Sequence, residues 1–289
     1  MANGVKRDSR CTIYLQPFHF HHVHDIECNR GALASHQVEI RMKLHLALTL
    51  LLASASLAAA QSTAHWAYEG KNGPINWGRL DSAYQACGKG QAQSPIDIKG
   101  AHVNKALAPI EFHYMAGGVT VVNNGHTLQA NVHPGSYIVQ EGARYDLIQF
   151  HFHTPSEEAV RGKFADMVVH LVHKSADGKI AVVAVRFLQD QDIPNALMAT
   201  LTHELPKTAG KEVAVTDMIN PGGFLPASRA YWTYMGSLTT PPCTEGVRWF
   251  VLQQEMPVSR VQYRAISSIL KVNSRPLQLL HGRRIEASE

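Results

Sequence analysis

From Ile110 to Phe187 the chain alternates between short apolar stretches and turn residues. Val119–Asn123 is β-branched and apolar and stops at Asn124-Gly125, a strong hairpin signal. Residues 135–141 and 145–152 follow with the same texture, and residues 164–173 meet residues 180–187 across Asp177-Gly178. Short strands at this spacing, with few helices between them, predict a predominantly β fold. Ser94-Pro95-Ile96-Asp97-Ile98 reads as a further short extended piece. Two segments carry helical spacing instead. Residues 195–204 place Leu197, Leu201 and Leu205 near one stripe. Ser259 can cap a helix running to Lys271, with Val261, Ala265, Ile266, Ile269 and Leu270 on one side. Ahead of the strands, His65-Trp66-Ala67-Tyr68 and Gly73-Pro74-Ile75-Asn76-Trp77 have little periodicity and read as an aromatic lid. Two threonines and two prolines in Thr239-Thr240-Pro241-Pro242 predict a rigid extended turn suited to lining a site.

The first sixty of the 289 residues have a different pattern. Arg41-Met42-Lys43 leads into an apolar run from Leu44 to Leu57 that ends in Ala58-Ala59-Ala60. A basic start, a short apolar core and small residues at the end mark residues 42–60 as a secretory signal peptide, too short for a comfortable membrane span. Residues 1–41 read as an over-extended or non-native leader, disordered, with a histidine cluster at His19, His21, His22 and His24. Cleavage after Ala60 leaves residues 61–289 as one domain, periplasmic or secreted, with no membrane span. The cysteines agree. Cys11 and Cys28 fall in the leader, while Cys87 and Cys243 remain as an even pair in an exported chain. A disulfide is the expected reading, with two buried free thiols as the alternative. With 27 basic and 23 acidic side chains, net +4, and no basic run interleaved with aromatics, nothing suggests nucleic acid.

Candidate chemistry concentrates in residues 149–173. In a strand, residues two apart share a face, so His151 and His153 project together and Phe150 and Phe152 oppose them. His170, on a neighbouring strand, can add a third imidazole. Three neutral imidazoles and one open position make a catalytic zinc site, whereas structural zinc is usually closed by four protein ligands. A bare His-x-His is a weak signal, equally that of a strand with two exposed histidines.

The neighbouring motifs make the signal specific. Ser94 to Ile98, Asn123-Asn124-Gly125-His126, Gln149 to Glu157, His170-Leu171-Val172-His173, and Gly236 to Glu245 occur in this order. Together they resemble the α-class carbonic anhydrases of the exported bacterial kind, across essentially all of residues 61–289. The resemblance implies a large twisted, mainly antiparallel central sheet with a few short peripheral helices. It implies Zn2+ held by His151, His153 and His170, and reversible hydration of carbon dioxide to bicarbonate and a proton by zinc-bound hydroxide. By the same resemblance Thr239 orients that hydroxide and donates to Glu157, and His126 relays protons. Tyr68 and Asn124 would hold the water chain and Gln149 would support His151. Val172, Val182, Leu238, Thr240, Val247 and Trp249 would form the pocket for carbon dioxide. Sulfonamide and anion inhibitors are further expectations of the resemblance; a homodimer is open, and the sequence does not give the oligomeric state. His173 reads as a buried structural histidine, and His113, His133, His203 and His281 as surface.

Two positions depart from the family's pattern. Glu158 stands where a histidine is usual, and Val168 where a glutamate usually supports the third ligand. Val168 cannot accept a hydrogen bond, so water or another residue must pair His170, or its N–H goes unpaired. The departure predicts faster zinc loss than in relatives, slowed by Val168→Glu. The alternative function is a catalytically weak binding module with the same fold. Such modules usually lose a ligand histidine, and this chain keeps all three.

Overall fold

The computed structural model describes residues 65–190 and 193–289. The leader expected at 1–41 and the signal peptide expected at 42–60 lie outside the described residues. The fold is organised on one sheet of thirteen strands. In chain order these are β1 (His102–Val103), β2 (Glu111–His113), β3 (Val119–Asn123), β4 (Leu128–Val132) and β5 (Tyr137–Gln140). Then come β6 (Ala143–His153), β7 (Met167–Lys174), β8 (Ile180–Asp190) and β9 (Glu212–Ala214). Last are β10 (Tyr231–Ser237), β11 (Glu245–Leu252), β12 (Met256–Ser259) and β13 (Glu286–Ala287). The lateral order is β9-β3-β4-β6-β7-β8-β11-β10-β13-β1, with β12 beside β8 and the β2-β5 pair beside β6. A separate three-stranded patch joins Asp97–Ile98, Ala159–Val160 and Lys163–Phe164.

The hairpins fall where the turn residues put them. β3 and β4 pair antiparallel across Asn124-Gly125, with Gly125 at φ 85°. β7 and β8 pair across Asp177-Gly178. The sheet is mainly antiparallel, but β8 runs parallel to both β11 and β12, and β13 parallel to β1. Residues 164–173, read from sequence as one strand, break at Asp166 into the end of the small patch and β7. The turn expected at Thr239-Thr240-Pro241-Pro242 lies between the long strands β10 and β11, which pair with each other.

Strand period explains why β7 is apolar apart from His170, His173 and Lys174: it is buried on both faces. Met167, Val169 and Leu171 enter the larger core with Phe150, Phe152, Val183, Val185 and Phe187. The intervening Val168 and Val172 enter a second core with Val182, Ala184, Val247 and Trp249. His151 pairs with His170 in the β6–β7 register. A slip of one residue in β6 would turn His151 and His153 into the phenylalanine-lined core, so the apolar face fixes the polar one.

Both expected helices form. Residues Ala196–His203 make one, capped by the Asn195 side chain, which accepts from Met198 N at 3.0 Å. Arg260–Leu270 makes the other, with Ser259 and Gln262 completing a reciprocal capping box. The N-terminal aromatics form the lid anticipated. Trp66, Tyr68 and Trp77 meet edge to face at 5.1–5.8 Å between ring centres, over the Cys87–Cys243 disulfide. Among the described residues no helix is long and apolar enough to cross a membrane.

Candidate metal centre

Because β6 and β7 are adjacent and antiparallel, His151, His153 and His170 converge on one face. One ring nitrogen from each lies within 4.8 Å of the other two. The second nitrogen of each ring is engaged elsewhere. His151 Nδ1 is 2.8 Å from Gln149 Oε1, and His153 Nδ1 is 2.8 Å from the carbonyl of Asn273. His170 Nε2 is 3.0 Å from Glu158 Oε1. A backbone carbonyl and an ionised carboxylate can only accept, so His153 carries its proton on Nδ1 and His170 on Nε2. Their inward nitrogens, Nε2 and Nδ1, then present lone pairs.

Burial keeps His151 and His153 neutral. His151 is held well below its usual pKa by burial and by the charges of His153 and His170. His153 falls to about 4, burial outweighing the Asn273 carbonyl and Glu158. His153 Nε2 is buried and, among the described residues, has no hydrogen-bond partner. An unpaired buried nitrogen aimed at two other inward nitrogens fits a metal ion, and three imidazoles with no fourth protein ligand among the described residues fit zinc in an open site.

Glu157 borders the cluster, its Oε2 3.5 Å from His153 Nε2 and 3.9 Å from His170 Nδ1. Its Oε1 accepts from the Arg275 backbone N–H at 2.8 Å. Burial pushes its pKa up to about 7, against opposing pulls from His170, Arg275 and the Thr239 side chain. Glu157 Oε2 has no hydrogen-bond partner among the described residues. Thr239 is itself buried and is placed by a lock between two chain segments. Ser94 N donates to Ser237 Oγ at 2.9 Å and Ser237 N to Ser94 Oγ at 3.1 Å. A Cβ on Gly236 would overlap the Ser94 hydroxyl, so only glycine allows this approach.

Val172, Val182, Val247 and Trp249 share one apolar cluster, with Leu238 packed against it. The Trp249 ring lies 4.9 Å from that of His170. Thr240 is half-buried beside it. The hairpin tip carries His126, half-buried and stacked on Trp66 at 3.7 Å, with His65 at 6.3 Å. Its pKa is lowered by burial and by His65. Asn124 is exposed, and its Oδ1 accepts from the His126 and Thr127 N–H groups, so it builds the turn that presents His126. Tyr68 has a buried hydroxyl with no partner among the described residues. His173 is fully buried, 2.8 Å from the Tyr114 hydroxyl, and His113, His133, His203 and His281 are exposed.

Sequence reasoning missed the contribution of residues 273–275. Asn273 and Arg275 act through backbone groups, which carry no side-chain signature. It also left the acceptor for His170 open. Glu158, from the loop after β6, fills that place, so the imidazole N–H is not unpaired opposite Val168. Arg186 was missed too, although a lone cation inside Ile180–Asp190, otherwise apolar through Leu188, is a readable sign of a buried ion pair. Arg186 is 3% exposed and pairs with Glu255 at 3.0 Å.

A broad sheet carrying three convergent imidazoles on one face, with a side left open, defines a metal-dependent enzyme scaffold. Residues 72–289 match the model of the eukaryotic-type carbonic anhydrase family. A carbonic anhydrase of Klebsiella pneumoniae is 40% identical over 245 residues, covering 84% of this chain and 98% of that protein. One from Pectobacterium carotovorum is 38% identical over 243 residues, with the same two coverages. The α-carbonic anhydrase of Thermovibrio ammonificans, solved with the inhibitor sulfanilamide, superposes with a TM-score of 0.75 at 39% identity, over 79% of this chain and all of that one. The chain belongs to the α-class carbonic anhydrase family and is an enzyme of that family.

Proposed function

We propose that this protein catalyses the reversible hydration of carbon dioxide to bicarbonate and a proton on a zinc ion held by His151, His153 and His170. The observation that carries the proposal is the set of three inward nitrogens, each fixed by an outward hydrogen bond, with His153 Nε2 buried and otherwise unpaired. When bound, zinc is a Lewis acid that brings the pKa of a coordinated water to about 7, carbonic anhydrase being the reference case for that value.

The remaining work falls to the chain's own residues. Glu157, anchored by the Arg275 N–H, is the acceptor toward which Thr239 directs its proton, leaving the Thr239 oxygen to accept from the attacking oxygen. The Thr239 backbone N–H faces the charge developing on the substrate. Val172, Val182, Leu238, Val247 and Trp249 receive an apolar gas and exclude water from its far side, with Thr240 at their edge. His126, an imidazole at the hairpin tip, carries the released proton outward. Tyr68 and Asn124 border the path, and Gln149 holds the ring of His151.

Sulfonamides and anions are expected to compete at the open side, as the sulfanilamide complex of the Thermovibrio ammonificans relative suggests. The buried disulfide supports export, with residues 42–60 as the signal peptide and 61–289 as the catalytic domain. The test is a zinc titration together with a carbon dioxide hydration assay. One zinc per chain and rapid hydration are expected, with both lost in a folded His153→Ala protein. Hydration that persists in that variant or in metal-stripped protein would refute the assignment. One zinc without hydration would favour the binding-module reading.

A further inference from the structure

We infer that Glu158 is the positioning residue for the third ligand, His170, with Arg186 as the buried cation that balances its charge. The inference rests on the zinc reading of the three histidines. An imidazole that ligates a metal through one nitrogen is aimed by the hydrogen bond its other nitrogen makes. For His170 the strands offer nothing: Ala184 lies opposite it on β8, and Val168, two residues before it on the same face, is an alkyl group with no exposure. The acceptor comes instead from the loop that follows β6. Glu158 Oε1 stands 3.0 Å from His170 Nε2, and neither side chain reaches solvent.

The loop is built to hold that carboxylate. Ser156 Oγ donates to the Glu158 carbonyl at 2.9 Å and accepts from Ala165 N at 2.9 Å. Ala159, the next residue, pairs with Asp97 in the small patch. Thus Glu158 is pinned from both sides in the chain. A buried carboxylate also needs a counter-charge. Arg186 is the cross-strand partner of Val168 and is almost fully buried. Its guanidinium and the Glu158 carboxylate attract each other, while its Nη1 pairs with Glu255. Arg186 Nε and Glu158 Oε2 are both buried without hydrogen-bond partners among the described residues. Val168, Glu158 and Arg186 form one unit, in which a short strand residue goes with a carboxylate from the loop and a cation from the next strand.

The experiment follows zinc release from the full chain to a chelator, with a His153→Ala chain reporting any zinc held outside the centre. Glu158→Ala should release zinc roughly 10–100-fold faster than the parent. Adding Val168→Glu to that variant should recover most of the difference, because the carboxylate returns from the strand side. Val168→Glu alone should not slow release, since the acceptor is already present. Slower release in that single variant, or parental release from a folded Glu158→Ala protein, overturns the inference and leaves the zinc reading intact. A parent that binds no zinc overturns both. Should Glu158→Ala fail to fold, Glu158→Gln keeps the shape and removes the charge. In zinc-loaded, 15N-histidine-labelled protein its His170 Nε2–H resonance should shift, and an unmoved resonance overturns the assignment.

Discussion

Replacing both Cys87 and Cys243 by alanine isolates the contribution of one covalent link to the architecture around Thr239. The two sulfurs join positions 156 residues apart, with Cα atoms 5.0 Å from each other. Closing a loop of that length removes about 17 cal/mol/K from the unfolded chain on the loop-entropy relation, or about 5 kcal/mol at 25 °C. Measured disulfides usually deliver less than this limit, so a loss of about 3–5 kcal/mol is expected. Against a total stability of about 5–15 kcal/mol this is a large share. For a domain of this size it corresponds to a fall in Tm of about 6–20 °C. Urea unfolding followed by far-UV circular dichroism and tryptophan fluorescence measures it, in metal-free buffer so that zinc binding does not add to either protein's apparent stability. A loss below about 1 kcal/mol, with peptide mapping proving the parent's bond intact, would refute the argument from chain entropy.

His126→Ala should slow turnover in dilute buffer, and small imidazole buffers should restore part of the rate; equality with the parent in dilute buffer means another group moves the proton. His173 is held down to about pKa 3, first by burial, so below pH 6.5 the unfolded chain takes up a proton that the folded chain refuses. Stability should therefore fall as pH drops from 6.5 toward 3, by up to about 1.4 kcal/mol per unit from this group, and His173→Gln should flatten the slope. An identical slope in the variant would assign the effect to other groups.

What was legible in the sequence was local. Asn124-Gly125 and Asp177-Gly178 mark hairpins because their backbone preferences act within two residues. The caps Asn195 and Ser259 announce helices for the same reason. His151 and His153 share a face because period two is a property of any strand. Long-range pairing has no such mark. The parallel contact of β8 with β11 joins residues more than sixty positions apart, and the strands flanking Thr240-Pro241-Pro242 were hidden by the turn chemistry between them. The partners of His153 and Glu157 were hidden because a carbonyl and an N–H belong to every residue. The support of His170 was legible only as a missing acceptor at Val168, since nothing local says that Glu158 bends back to meet it.

The clasp formed by residues 273–275 has a consequence for the order of events in the cell. Asn273 holds His153 from 120 positions away, and Arg275 holds Glu157 from 118. A ribosome adding about 5–20 residues per second needs roughly 6–24 s to travel from the first ligand pair to its clasp. Throughout that interval His153 has no carbonyl to fix its ring, and Glu157 has no amide to anchor it. A chain stopped short of Asn273 would carry every ligand histidine and still lack the geometry to use them. The geometry of the candidate centre therefore depends on the last segment of the chain to be made.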